Sequence, residues 1–162
     1  MGLDIFAAEK AIKISDDFDQ DFETLDTEGE VVRVLVNNSF ASHDHLTDGI
    51  YRYEGKSIDF SAGSYGTYNG FRSTISQIAH NVAPAMIWSN PEIYKGSAFY
   101  ELINFSDCEG VIGPDTASKL LSDFKQYREE FMKDNDVWEG EKYDYWIKAL
   151  ELAGNDGLLI FC

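Results

Sequence analysis

Residues 57–78 read SIDFSAGSYGTYNGFRSTISQI, and the hydrophobic period changes midway through them. Ile58, Phe60 and Ala62 alternate with Ser57, Asp59 and Ser61, the two-residue repeat of a strand with one buried face. Past Gly63, the residues Tyr68, Phe71, Ile75 and Ile78 follow at helical spacing and form one apolar stripe. Asn69, Arg72, Ser73, Ser76 and Gln77 fall on the opposite face. Strand signals precede this switch and helix signals follow it, which is the order of an α+β chain rather than an alternating α/β one.

Upstream, residues 3–14 (LDIFAAEKAIKI) read as a first strand and residues 31–36 (VVRVLV) as another. Residues 49–54 (GIYRYE) and 57–62 (SIDFSA) flank Glu54-Gly55-Lys56, a pattern that predicts a β-hairpin. The first 62 residues are therefore expected to form an antiparallel meander. Residues 16–30 interrupt it with eight acids and no base, as a solvated loop or arm does. The spacing of Phe18, Phe22 and Leu25 also suits a short amphipathic helix docked on the core.

Downstream, residues 81–96 lack a clear period, and Pro84 and Pro91 bracket Met86-Ile87-Trp88. That composition suits a lid, a binding loop or an interface. Residues 97–104 predict a short helix, and Gly113-Pro114 opens a long one that buries Leu120, Phe124, Tyr127 and Phe131. The last helix buries Tyr143, Trp146, Ile147 and Leu150 and stops at Gly154-Asn155-Asp156-Gly157. Leu158 to Phe161 form a short apolar strand that returns to the sheet. The expected architecture is a single α+β domain over residues 1–162, with an N-terminal antiparallel β-meander packed against C-terminal helices.

A chain of 162 residues, 44% hydrophobic and 14% aromatic, can bury a full core. Its 13 basic and 29 acidic residues leave a net charge of −16, which disfavours nucleic acid and anionic membranes as partners. Cys108 and Cys162 make no disulfide framework, and neither a signal-type leader nor a long apolar run is present, so a cytoplasmic location is expected. The Met1-Gly2 start lacks the Ser or Thr of a myristoylation motif, because Phe6 stands there.

Three segments carry a resemblance. They are Met1-Gly2-Leu3-Asp4-Ile5, Gly63-Ser64-Tyr65-Gly66-Thr67-Tyr68-Asn69, and Phe105-Ser106-Asp107-Cys108-Glu109-Gly110-Val111-Ile112-Gly113-Pro114. Together they resemble a family of small uncharacterised proteins from bacteria and their phages. The resemblance implies a bacterial or phage context, in which small accessory proteins act on host defence. It carries over no catalytic residue.

Two segments gather the polar chemistry. Residues 63–72 (GSYGTYNGFR) place Gly63, Ser64 and Gly66 at a helix start, where free backbone N–H groups welcome an anion. Arg72 supplies a charged fork, Tyr65 and Tyr68 offer flat rings, and Asn69 adds an amide. The pattern is neither a P-loop nor a dinucleotide fingerprint. The bland alternative is a tight strand–helix turn, with Tyr68 in the core and Arg72 paired to an acid. Residues 104–110 (NFSDCEG) offer Ser106, Asp107 and Glu109 as a second wall. Their bland alternative is structural, with Asp107 capping backbone groups and Glu109 paired to Arg72 or Lys119. Met86 and Trp88 are placed to close over a planar ligand. Arg72→Ala is expected to weaken such a ligand without altering the fold.

Cys108 has no basic neighbour in sequence to activate it. His43 and His45 lack a defined third ligand, so they read as loop residues, and no metal or cofactor is expected. Three functions follow. The first is a small acidic binding protein that captures an anionic small molecule of nucleotide type. The second is an acidic interaction module that contacts a basic protein surface through residues 16–30 or 84–91. The third, a small hydrolase using Asp107 or Glu109, lacks an assembled set of nucleophile, base and orienting group.

Overall fold

In the computed structural model, which describes residues 2–162, apolar alternation near the N-terminus builds one long two-stranded ribbon. Its first arm is β1 (Gly2–Ala8) and β2 (Ala11–Ser15); the strand β3 (Glu30–Val34) intervenes; its second arm is β4 (Gly49–Tyr53) and β5 (Ser57–Ser64). β1 pairs antiparallel with β5, and β2 pairs antiparallel with β4. The ribbon bends at Glu9-Lys10, where Lys10 has φ 53°, opposite residues 54–56. Glu9 clamps this bend: its N donates to the Lys56 carbonyl at 3.2 Å and its Oε1 accepts from Lys56 N at 2.9 Å.

The hairpin expected around Glu54-Gly55-Lys56 is therefore replaced by a bend between successive strands that belong to different sheets. Likewise, residues 3–14 form two strands rather than one. Alternation is identical in both arrangements, so local sequence does not distinguish a turn from a bend matched by a bend in its partner. Met1, the first residue of the N-terminal motif, lies outside the described residues.

Two further strands complete the sheets, β6 (Gly110–Ile112) and β7 (Leu158–Phe161). One sheet has the order β5-β1-β7-β6 and the other β2-β4-β3. The final strand thus enters the four-stranded sheet between β1 and β6. This position explains its unbroken apolar sequence, because both of its faces are covered. Leu159 and Phe161 join the main core, whereas Leu158 and Ile160 meet Val34 and Tyr51 of the three-stranded sheet. The result is three layers: the small sheet, the larger sheet, and helices.

The helices are α1 (Tyr65–His80), α2 (Pro84–Ser89), α3 (Pro91–Tyr94), α4 (Tyr100–Ile103), α5 (Pro114–Asp134) and α6 (Val137–Gly154). Leu120, Phe124, Trp146 and Leu150 are all at most 1% exposed. Trp146 centres an aromatic cluster, with ring centroids 6.1 Å from Phe71, 6.2 Å from Phe124 and 5.3 Å from Phe60. Tyr127 and Ile147, expected in the same stripes, are only half-buried at their edges.

The segment 81–96, which lacks a period, contains two short helices, each opened by a proline at its first turn. The helix expected over residues 97–104 shrinks to α4, because Phe99 at φ 60° breaks the chain's path before it. Asp123 holds that corner by accepting from Phe99 N at 3.0 Å, and Lys119 bridges Asp123 and Glu101. The acidic arm forms one 3-10 turn, Phe22–Thr24, rather than a docked amphipathic helix. Arg33 ties the arm down by donating to the carbonyls of Phe18 and Gln20, with its guanidinium over the Phe22 ring.

α5 receives its cap from a distant loop. A side chain at Gly113 would collide with the Asp44 carboxylate, its Cβ falling 2.5 Å from Oδ2. Asp44 instead fills that place and accepts from Asp115 N at 2.9 Å, Thr116 N at 3.0 Å and the Thr116 hydroxyl at 2.7 Å. Among the described residues, no helix is long and apolar enough to cross a membrane.

Candidate functional site

α1 carries its apolar stripe, Tyr68, Phe71 and Ile75, into the core, and its flank faces the chain that leaves α4. The C-terminal carbonyls of a helix have no partner within it. In α4 and just beyond, these carbonyls are met by side chains from other elements. Arg72 Nη1 donates to the Ile103 carbonyl at 3.2 Å and to the Phe105 carbonyl at 2.8 Å. Trp88 of α2 adds an indole N–H to the Ile103 carbonyl at 2.9 Å. This demand explains why an arginine is buried at all, with only 5% of it exposed.

The other end of the guanidinium meets polar side chains. Nη2 donates to Asn69 Oδ1 and lies 3.8 Å from Asp107 Oδ2, which also accepts from Asn69 Nδ2 at 3.4 Å. Among the described residues, the buried Arg72 Nε has no hydrogen-bond partner. Tyr68 and Trp88 flank the group, with ring centroids 5.0 and 5.6 Å from the guanidinium carbon. The Tyr68 hydroxyl, also buried and without a partner, has its pKa pushed well above the usual phenol range, chiefly by burial.

Beside this pair lies an open cleft of about 360 Å³, lined by Asn69, Arg72, Ser73, Pro84, Trp88 and Asp107. Trp88 is 48% exposed, and its indole N–H is held by the Ile103 carbonyl. A second depression of about 250 Å³ shares Arg72, Trp88 and Asp107 and adds Phe40, Asn104 and Ser106. The two polar segments singled out in the sequence thus meet, at Asn69, Arg72 and Asp107.

Not every candidate residue reaches the cleft. Gly63, Ser64, Tyr65 and Gly66 stand at the start of α1 and do not line it. Ser64 caps that helix itself, accepting from Thr67 N at 3.1 Å. Gly63 is needed there for its φ of 95°, a conformation that other residues rarely adopt. Tyr68 is in the core, where its ring faces Arg72 rather than solvent. Ser106 lines the second depression, but its hydroxyl accepts from the backbone N–H groups of Cys108 and Glu109. Glu109 is exposed and, among the described residues, pairs with neither Arg72 nor Lys119, which is already bound to Glu101 and Asp123.

Burial also corrects the expectation for Arg72→Ala. The side chain is part of the structure that holds residues 103–107, so its removal must affect folding. Cys108 and Cys162 are free and exposed. Asp44, between the two loop histidines, is occupied by the cap of α5. Among the described residues, no three His, Cys, Asp or Glu side chains gather as a metal site.

Phe40 and Ser73 were not singled out from the sequence. Ser73 falls on the polar face of α1 beside Arg72, which was legible as a helical neighbour. Phe40 comes from the loop between β3 and β4, where its ring packs 5.0 Å from that of Phe105, and it carries no local signal. No protein-family model matches this chain, and no curated protein or solved structure matches it either.

Proposed function

We propose that this chain is a small binding protein that takes a planar, anionic molecule of the nucleotide class at the cleft between α1, α2 and residues 104–107. One observation carries the reading: Trp88, with its indole N–H fixed and much of its surface open, stands beside a polar group formed by Asn69, Arg72 and Asp107. An aromatic wall with few convergent polar groups is the usual composition of a small-molecule site. A capture protein would also suit the accessory role that the resemblance implies.

The test uses thermal unfolding and Trp88 fluorescence, in a Trp138→Phe background that removes the other exposed indole. The common ribonucleoside mono-, di- and triphosphates form the panel. A ligand that binds only the native state raises the melting temperature, and one that stacks on Trp88 changes its emission. Neither change with any member of the panel would overturn the reading.

A second reading is favoured by the arm at residues 16–30. Among the described residues, Asp16 is the only one of its carboxylates in an ion pair, with Lys13 at 2.6 Å. A basic protein surface would find those charges unopposed. Replacing the arm's acids by Asn and Gln should abolish capture by such a surface; unchanged capture would remove this segment.

A further inference from the structure

We infer that the ligand lies in this groove with its ring at Asp107 and its anionic group at Lys95, the reverse of an orientation that places the anion on Arg72. The inference rests on the binding reading above and adds the ligand's direction and a second compartment.

Both uses of Arg72 Nη1 go to backbone carbonyls, and Nη2 serves Asn69 and faces Asp107. Nε lacks a partner but is itself buried. Beyond the buried Nε, one N–H of Nη2 makes no hydrogen bond, and it lies beside the Asp107 carboxylate, so Arg72 keeps at most one donor for an incoming phosphate. Charge acts in the same direction. A phosphate at Arg72 would lie against the Asp107 carboxylate, 3.8 Å from the guanidinium and 42% exposed, and like charges at such range repel. What the cleft offers instead is an acceptor. Both contacts of Asp107 fall on Oδ2, and its other oxygen can accept from a ring N–H. With Trp88 as the stacking face, that is a site for a heteroaromatic ring bearing N–H donors.

The groove is also continuous. Phe40 and Asn104 line the depression next to Trp88 and also a further compartment of about 350 Å³. That compartment is lined by Ser39, Ser42 and Thr116, the Tyr100 ring, Lys95 and Glu101. Among the described residues, Lys95 is exposed and has no carboxylate within 4.0 Å of its amine, and the neighbouring Glu101 is occupied by Lys119. Hydroxyl and amide groups along the path suit a hydroxylated linker, and Lys95 suits a terminal phosphate. The class indicated is a nucleoside monophosphate. Guanine is the probe of choice, because its neighbouring N–H groups match a carboxylate.

Guanosine and GMP are titrated against the full chain by Trp88 fluorescence in the Trp138→Phe background, alongside Lys95→Ala, Asp107→Asn and Arg72→Lys variants. GMP is expected to bind about tenfold or more tightly than guanosine. Lys95→Ala should erase that preference while leaving guanosine affinity unchanged. Asp107→Asn should weaken both ligands equally and preserve the preference. If Lys95→Ala keeps the phosphate preference and Arg72→Lys removes it, the orientation is overturned and the binding reading stands. If both ligands bind but neither Lys95→Ala nor Asp107→Asn changes either affinity, the placement in this groove is overturned. If guanosine and GMP do not bind while another member of the nucleotide panel does, the ring assignment fails alone; if no member binds, both readings fail.

Discussion

Replacing Arg72 by Ala tests whether this residue is first a structural tie and only then part of a site. The substitution leaves the Phe105 carbonyl without its donor, whereas the Ile103 carbonyl keeps the Trp88 indole. A buried carbonyl left unpaired costs about 1–3 kcal/mol. The lost contacts with the Tyr68 and Trp88 rings add about 0.5–1 kcal/mol each. Removing a desolvated guanidinium offsets part of this sum, because a buried charge is expensive to hold. The net loss is roughly 2–3 kcal/mol, which lowers the melting temperature of a domain this size by roughly 4–12 °C. Thermal unfolding followed by circular dichroism measures it. Arg72→Lys keeps the charge but replaces the planar fork by one ammonium, so it should fall between wild type and Ala. A melting temperature for Arg72→Ala within about 1 °C of wild type, well below the shift that a loss of this size produces, would refute a structural role for Arg72.

The remaining predictions concern elements that hold the site in place. Asp44→Ala should cost about 1–2 kcal/mol by uncapping α5, with Asp44→Asn costing less, read as a lower urea midpoint at unchanged slope. Trp146→Ala and Leu120→Ala should each destabilise by roughly 2–5 kcal/mol, and near-neutral melting of both would contradict their place in the core. Glu9 is held below its ordinary pKa of 4.5, first by the Lys56 backbone N–H and then by the Asn155 amide. A lowered folded-state pKa stabilises fully above the unfolded value and is lost on acidification, so Glu9→Gln should flatten the fall in stability below pH 4.5. An identical acid limb in both proteins would mean that Glu9 does not clamp the ribbon bend.

Much of the element content followed from local pattern. The switch of period at Gly63, the apolar stripes of α1, α5 and α6, and the strand at residues 158–161 are carried by the residues themselves, because burial of one face imposes its spacing on the sequence. The excess of acid is likewise a property of composition. Partner choice is not. Alternation states that a strand has a buried face but not which strand lies beside it, so β4 and β5 read as a hairpin with each other, whereas they pair with β2 and β1. β6 has only Gly110, Val111 and Ile112, too few residues for a period to show, and it exists because β7 offers it an edge. The candidate site divides in the same way. Arg72, Asp107 and Trp88 were legible as chemistry, but their roles depend on carbonyls at the end of α4 that only the packed chain brings within reach. Hydrogen-bond partners are set by which backbone groups are left over after the elements form, and that remainder is decided by tertiary structure alone.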